Sequence, residues 1–194
     1  MNVILFGAPG AGKGTQANFL INEFDLTQIS TGDMLRSSVE KKTELGKQVE
    51  SFMANGDLVP DNIIFSLITE RLNDIDMKKG FIFDGFPRNL TQAIKLDEIM
   101  NDMDINLDFV FHIDVDEKIL TGRIENRAKQ EKTTRKDDTL EVLIERLNVY
   151  NRETKPVLNH YSDQNILNVI DGMGTIEEVS SNISKIINKD FKVD

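Results

Sequence analysis

A glycine-rich segment near the start of the chain has the residue types of a phosphate-binding loop. The apolar run Asn2–Phe6 leads into Gly7-Ala-Pro-Gly-Ala-Gly-Lys-Gly-Thr15, and a helical pattern follows. Glycines let successive backbone N–H groups turn inward, and the following helix adds its partial positive charge. Lys13 supplies a cation for the outer phosphates, and the Thr15 hydroxyl can reach phosphate or Mg²⁺. The spacing predicts a nucleoside triphosphate site, although Gly14 stands where the general motif has Ser or Thr.

Arginines are the second group of residues suited to phosphate chemistry. The chain has only eight of them and a net charge of −10, so their positions carry information. Arg123 and Arg127 are four residues apart and share one face of a predicted helix. A guanidinium group binds phosphate oxygens in pairs and stays charged, whereas the alternative for a single arginine is an ion pair on a helix surface.

A carboxylate follows the third predicted strand. Asp84 comes directly after the apolar residues 81–83, which places it at the carboxyl end of a strand. A magnesium-binding aspartate is expected at such a position, either in direct contact or through water. The alternative is that Asp84 caps a turn with Gly85, since Asp-Gly is a common turn pair.

The composition limits the class of protein. With 194 residues, 39% hydrophobic and 29% charged, the chain has the size and content of one globular domain. It has no cysteine, which excludes disulfides and thiolate metal sites and fits a reducing cytoplasm. The acidic balance disfavours nonspecific nucleic-acid binding, and neither a membrane-length apolar run nor a signal peptide is recognised. We therefore expect a cytoplasmic protein with no nucleic-acid or membrane partner.

Short apolar runs alternate with helical patterns along the chain. The predicted strands are residues 2–6, 28–29, 81–83, 109–113 and 166–170. Nearly continuous apolar runs are typical of parallel strands covered on both faces, so the pattern predicts an α/β fold with a five-stranded parallel sheet. Helices are predicted to begin after Pro60, after Asp116 and at Thr139 or Asp138.

Two segments read as insertions into this core. Residues 30–59 contain a mostly polar helical stretch over 34–53, and residues 128–134 form a short polar link. Neither holds enough apolar residues for its own core. They are either surface decoration or mobile flaps over a ligand at the carboxyl ends of the strands.

Four segments together resemble adenylate kinases. They are Gly7-Ala-Pro-Gly-Ala-Gly-Lys-Gly-Thr15-Gln16, Ser30-Thr-Gly-Asp-Met-Leu-Arg36, Asp84-Gly-Phe-Pro-Arg88-x-x-x-Gln92 and Thr134-Arg135-Lys-Asp-Asp138. The resemblance covers essentially the whole chain, in the right order and spacing. Loops of this family read G-x-P-G-x-G-K-G-T, which accounts for Gly14 and the later hydroxyl of Thr15.

The resemblance implies a P-loop three-layer fold and transfer of a phosphoryl group from MgATP to AMP. It implies a core of residues 1–29, 60–127 and 136–194, a monophosphate-binding insertion at 30–59 and a short lid at about 128–135. A lid this short, without cysteine, resembles the lids that hold no zinc. Mg²⁺ with ATP is the expected cofactor, and ATP, AMP and ADP are the expected partners of a monomeric enzyme.

The resemblance also assigns residues to the donor side. The catalytic residues would be Lys13, Arg88, Arg123, Arg127, Arg135 and Arg146. The ATP-binding residues would be Gly10, Ala11, Gly12, Lys13, Gly14, Thr15, Arg123, Arg127 and Gly174. Asp84 would bind the magnesium through water, and Asp33 would lie near the metal's water shell unless it is only a first-turn helix carboxylate. Gly174 and its neighbour Met173 depart from the usual residues.

On the acceptor side the resemblance assigns the AMP-binding residues. They would be Thr31, Arg36, Asp57, Leu58, Val59, Gly85, Phe86, Arg88, Gln92, Arg135 and Arg146. The Gln92 amide can pair with an adenine edge. Asp57 departs from the lysine that is common at its position. Asn89 resembles the residue that UMP/CMP kinases have there, but those relatives often carry alanine at the position of Thr31. The alternatives are therefore a UMP/CMP kinase or a P-loop ATP-binding regulatory protein without transfer activity.

Overall fold

The computed structural model describes residues 1–76, 79–130 and 139–190. Within these ranges the side chains of residues 124, 127–130 and 190 are not described.

A five-stranded parallel sheet forms the centre of the molecule. Its strands are β1 (Asn2–Phe6), β2 (Thr27–Ser30), β3 (Phe81–Asp84), β4 (Phe109–Asp114) and β5 (Leu167–Asp171), in the order β2-β3-β1-β4-β5. All four strand pairs are parallel. The predicted fold class is confirmed, and each predicted strand matches an observed one to within one residue at either end.

Helices cover both faces of the sheet. They are α1 (Lys13–Phe24), α2 (Thr31–Glu40), α3 (Glu44–Asn55), α4 (Asp61–Asp74), α5 (Leu90–Asp102), α6 (Glu117–Gln130), α7 (Leu140–Val149), α8 (Val157–Asp163) and α9 (Ile176–Asp190), with a π-helical turn at Tyr150–Thr154 between α7 and α8.

Alternate residues of the central strand supply two separate hydrophobic cores. Val3 and Leu5 pack with α1 and α9, whereas Ile4 and Phe6 pack with α4, α5 and α8. Successive side chains of a strand point to opposite faces, so a continuously apolar β1 feeds both layers of helices. The result is the expected three-layer arrangement.

The segment between β2 and α4 folds as two helices. The prediction of one helical stretch over 34–53 is wrong in this respect, because α2 ends at Glu40 and α3 begins at Glu44. Thr43 accepts a hydrogen bond from the backbone N–H of Gly46 at 3.0 Å and starts the second helix. Leu35 and Val49 are buried in the core shared with α4 and α5, so the insertion packs on the main domain.

The predicted polar link at 128–134 begins too early. Helix α6 continues through Gln130, because Ala, Lys and Gln at positions 128–130 are good helix formers. The rest of the link lies outside the described residues. The predicted helix starts on either side are confirmed, since Asp116 accepts from Lys118 N at 2.8 Å and Thr139 accepts from Val142 N at 3.4 Å.

Candidate active site

A deep cleft opens at the carboxyl ends of the strands. It encloses about 530 Å³ and is lined by residues from the glycine loop, both helices of the insertion, the ends of β1 and β3, α6 and α7. The strand order places β3 and β4 on opposite sides of β1, so the crevice forms where the glycine loop leaves the central strand. Eighteen of the predicted site residues line it: Gly10, Gly12, Lys13, Gly14, Thr15, Thr31, Asp33, Arg36, Asp57, Leu58, Val59, Asp84, Gly85, Phe86, Arg88, Gln92, Arg123 and Arg146.

The glycine loop runs directly into α1. Gly12 is the N-cap of this helix, at φ 97°, a left-handed conformation that favours glycine. Its carbonyl accepts from Gln16 N at 3.1 Å, which starts the helix. The N–H groups of residues 13–15 therefore belong to the first turn of α1, the turn that binds anions in such loops.

Lys13 lies across this loop. Its Nζ donates to the backbone carbonyls of Gly7 at 2.5 Å and Ala8 at 3.1 Å. The side chain is half-buried and lines the cleft. The ammonium group is thus held beside the loop's N–H groups, where it can act on the outer phosphates of a nucleotide.

Asp84 provides a carboxylate at the end of the strand next to the one that runs into the glycine loop. It ends β3 in register with Leu5 of β1 and Ser30 of β2, and its Oδ2 accepts from Gln28 Nε2 at 3.4 Å. The Thr15 hydroxyl lines the same cleft. Within the described residues no three His, Asp or Glu side chains cluster as a closed metal site requires. A carboxylate and a hydroxyl fit Mg²⁺, which prefers hard oxygens and takes its other ligands from substrate phosphates and water.

Arg88 is fixed at the floor of the cleft. Its Nε donates to Gly85 O at 2.7 Å, and its carbonyl accepts from Thr154 Oγ1 at 2.7 Å. The pKa of Arg88 is lowered to about 10, mainly by burial and to a smaller extent by nearby Arg146, while Asp84 opposes the change. The guanidinium stays charged at neutral pH and lies near the cations of Arg146 and Arg36. A bound polyanion would reduce the repulsion between these positive charges.

Three more arginines reach the cleft from separate helices. Arg36 pairs with Asp33 one turn earlier on α2. Arg146 comes from α7, and its charge acts on Arg88. Arg123 of α6 donates through Nη2 to Gly172 O at 3.3 Å. Helices that are far apart in the sequence therefore place their arginines around the same cleft.

The side of the cleft away from the loop is less charged and more enclosed. Thr31 and Gln92 are each 2% exposed, and the Thr31 hydroxyl donates to Gly85 O at 3.0 Å. Residues 57–59 connect α3 to α4 along this wall, with Val59 buried. Together these groups form a pocket of the kind that encloses a flat, partly polar ring.

Four predicted site residues are not placed on the cleft wall by the structure. Ala11 faces the core, and its N–H donates to Ala8 O at 3.0 Å. Gly174 lies in the exposed loop before α9, next to Glu178, and does not line the cleft. The Arg127 side chain and Arg135 lie outside the described parts of the chain.

The sequence reasoning missed several contributors to the cleft. Tyr150 and Thr154 come from the π-helical turn and line it, and π turns often occur at functional sites. No sequence signal marked this turn, because the residues from 140 to 151 have the apolar spacing of an ordinary α-helix. Asp61, which the sequence suggests only as a helix start, hydrogen-bonds Gln92 from behind the wall.

The two histidines have structural partners. Nε2 of His112 lies 3.0 Å from the Tyr150 hydroxyl in a buried contact, and burial lowers the pKa of His112. Nε2 of His160 lies 2.7 Å from Asp97. Neither histidine lines the cleft. In the described residues, no helix has the length and hydropathy to cross a membrane.

Comparison with known proteins gives a consistent result. The family model for adenylate kinase matches residues 5–166. The chain is 42% identical to an adenylate kinase of Fusobacterium nucleatum, over 96% of this chain and 98% of the relative. It is 45% identical to an adenylate kinase of a Cyanothece species, over 96% of this chain and 95% of the relative. An adenylate kinase of Methanosarcina acetivorans is 38% identical, over 97% of this chain and 99% of the relative.

Proposed function

This chain belongs to the adenylate kinase family and is a nucleoside monophosphate kinase, and we propose that it carries out MgATP + AMP ⇌ 2 ADP by direct in-line transfer. The observation that supports this mechanism is the coexistence, in one cleft, of a triphosphate loop and acceptor-side arginines. Binding of ATP alone does not require Arg36 and Arg88 beside an enclosed base pocket. A regulatory ATP-binding protein without transfer activity is therefore not favoured.

On the donor side, the proposed roles follow the geometry of the loop. The first-turn N–H groups of α1 and the Lys13 ammonium bind the β- and γ-phosphates, and Arg123 approaches from α6. Arg127 and Arg135 belong to the proposed catalytic set with Arg146, on the strength of the family resemblance. Ala11 and Gly174 keep their proposed ATP contacts on the same basis, through the backbone.

On the acceptor side, Arg36 and Arg88 hold the phosphate of AMP. Its phosphate oxygen is already anionic at neutral pH, so the reaction needs no general base. Alignment of the reacting groups and stabilisation of the spreading negative charge then supply the catalysis. This agrees with a cleft whose wall carries cations and no histidine among its described residues.

We propose magnesium as the cofactor, held by Asp84 through water and by the Thr15 hydroxyl, with Asp33 near its water shell. When bound, the ion neutralises charge on the β- and γ-phosphates.

We also propose that residues 30–59 and the link at about 128–135 close over the substrates, and that the core is 1–29, 60–127 and 136–194. Closure would exclude water, which otherwise hydrolyses ATP. We propose a monomer, since the described residues of one chain supply both the phosphate-binding and the base-binding groups, and a cytoplasmic location, which a chain without cysteine fits.

The choice of AMP over other acceptors rests on Thr31 and Gln92. Asn89, which resembles a UMP/CMP kinase residue, has a structural role here. Its Oδ1 caps α5 by accepting from Gln92 N at 2.8 Å, and its Nδ2 donates to Asp61 at 3.1 Å. Asn89 thus gives no reason to prefer a pyrimidine acceptor.

The test is a panel of acceptors. Purified protein is incubated with MgATP and, in turn, AMP, CMP, UMP and GMP, and ADP formation is followed. We expect the highest kcat/KM with AMP. A preference for CMP or UMP would identify a pyrimidine nucleotide kinase, and no turnover with any acceptor would overturn the proposed transfer.

A further inference from the structure

The buried amide of Gln92 is held between two partners of opposite character. Its Oε1 accepts from the backbone N–H of Arg88 at 2.7 Å, and its Nε2 donates to Asp61 Oδ1 at 2.7 Å. Gln92 lies on α5 and Asp61 in the first turn of α4, so the contact joins two helices. The side chain is 2% exposed, so neither bond is replaced by bulk water.

These partners fix which end of the amide is oxygen and which is nitrogen. A carboxylate only accepts hydrogen bonds, and a backbone N–H only donates them. A flipped Gln92 amide would put oxygen against the Asp61 carboxylate and N–H against the Arg88 N–H. Asn89 Nδ2 donates to the same carboxylate, at 3.1 Å to Oδ1, and keeps it in place. The orientation is therefore imposed by Asp61 and the backbone together.

The fixed amide presents a defined pattern to the cleft. One Nε2 hydrogen and one Oε1 lone pair have no partner among the described residues, and Gln92 lines the cleft while Asp61 does not. A donor beside an acceptor complements a base edge with a ring nitrogen acceptor beside an amino group. Adenine and cytosine have this edge, whereas hypoxanthine, guanine and uracil present a ring N–H beside a carbonyl.

We propose that Asp61 is a positioning residue that locks the Gln92 amide and thereby makes the cleft select amino bases over keto bases. The inference rests on the proposed function, in which the acceptor base lies against Gln92. Two properties of the base are then selected separately. The pocket wall selects the size of the base, and the contact between Asp61 and Gln92 selects an amino edge over a keto edge.

The experiment compares acceptors that differ only at this edge. The kcat and KM values for AMP and inosine monophosphate, and for CMP and UMP, are measured for the wild type and for Asp61→Asn, Asp61→Glu and Asp97→Asn. Asp97→Asn is the matched control, because Asp97 also accepts from a glutamine amide, Gln164 Nε2 at 2.8 Å, away from the cleft. Thermal unfolding establishes that each variant is folded.

The amide introduced by Asp61→Asn can accept or donate, so it no longer opposes a flipped Gln92, and only the Arg88 N–H still favours the wild-type orientation. We expect the ratio of kcat/KM for inosine monophosphate to that for AMP to rise by about tenfold, mainly through the two KM values. Asp61→Glu keeps an acceptor-only group and should keep most of the wild-type ratio, and Asp97→Asn should leave the ratio unchanged. An unchanged ratio in folded Asp61→Asn, or an equal loss with both acceptors, would overturn the proposal.

The wild type provides a second test that needs no variant. It must prefer AMP to inosine monophosphate, and whatever pyrimidine activity it has must favour CMP over UMP. If the wild type turns over AMP but does not prefer AMP to inosine monophosphate, the proposed role of Asp61 is refuted and the proposed function is not. Failure to turn over AMP at all would instead refute the proposed function.

Discussion

The two ends of the cleft hold their functional groups by different means. At the phosphate end, formed by residues 10–15 with Arg88, Arg123 and Arg146, cations from the start of α1, from the segment between β3 and α5, and from α6 and α7 line one open space. At the base end, formed by Thr31, residues 57–59 and Gln92, buried side chains are tied to fixed hydrogen-bond partners. Cations gathered around one space bind any phosphate, whereas fixed dipoles distinguish one base from another. Damage at the phosphate end should therefore lower activity with every acceptor, and damage at the base end should change the preference among them.

The largest expected effect is at Lys13. Lys13→Met removes the cation beside the loop, and we expect kcat to fall by about 10³-fold with every acceptor, because charge stabilisation at the transferring group is lost. The measurement is coupled detection of ADP. Lys95→Met is the control, since Lys95 is an exposed lysine that pairs with Glu98. Full activity in a folded Lys13→Met would contradict the assignment of the loop.

Arg88 should show the next largest effect. Arg88→Lys keeps a positive charge but loses the planar fork that bonds to Gly85 O, so kcat/KM should fall by about 10²-fold for AMP and for CMP alike. Arg152→Lys, on the exposed surface, is the control. A large change in the AMP to CMP ratio, with little loss of rate, would move Arg88 to the base end.

Thr31 should change preference more than rate. Thr31→Ala removes a buried hydroxyl that bonds to Gly85 O, and we expect the AMP to CMP ratio of kcat/KM to fall by about tenfold. The measurement is the acceptor panel, with Thr69→Ala on the exposed face of α4 as the control. An unchanged ratio would count against Thr31 as a base selector.

Gly56 directly precedes residues 57–59 of the base end and packs beside Arg146 of the phosphate end. It ends α3 at φ 80°, and a Cβ there would lie 3.0 Å from Val142 O and 3.3 Å from Arg146 Cγ. Gly56→Ala should lower the free energy of unfolding by about 1–2 kcal/mol and should also reduce kcat, because Arg146 must shift. Gly122→Ala is the matched control, since a Cβ there meets none of the described atoms within 4 Å and alanine favours the helix. Equal stability of the two variants in urea unfolding would refute this reading of the α3–α7 contact.

The smallest effect concerns His112, behind the phosphate end. Burial lowers its pKa in the folded protein, so the unfolded chain takes up this proton first as the pH falls below about 6.5. The corresponding stability is present above that pH and is lost below it. His112→Gln should flatten the pH dependence of the free energy of unfolding between pH 7 and 5, by less than about 1.4 kcal/mol per pH unit, the slope for one proton. Parallel slopes in the two proteins would contradict the effect.

What the sequence predicts best is local. The glycine loop, Lys13 and the start of α1 are consecutive residues whose types already dictate the turn, and the strands are continuous apolar runs. The arginines and Gln92 came from the resemblance, because no local pattern shows that Arg36 and Arg146 face the same space. The boundary of α6 was misplaced because polar residues that favour a helix also read as a link.

What the sequence does not show depends on distant contacts. Asp61 bonds to a residue 31 positions away, and Thr154 to one 66 positions away, so neither contact leaves a spacing signal. The π-helical turn that carries Thr154 differs from an α-helix by a single hydrogen-bond shift, and the same residues are compatible with both.

The most direct measurement of the central claim is the stoichiometry of the reaction followed by ³¹P NMR. The wild-type protein is incubated with Mg²⁺, ATP and AMP, and all phosphate species are quantified together. We expect two ADP to form for each AMP consumed, without inorganic phosphate, and we expect Lys13→Met to form ADP about 10³-fold more slowly. One ADP and one inorganic phosphate for each ATP, with AMP unchanged, would show hydrolysis in place of transfer and contradict the account.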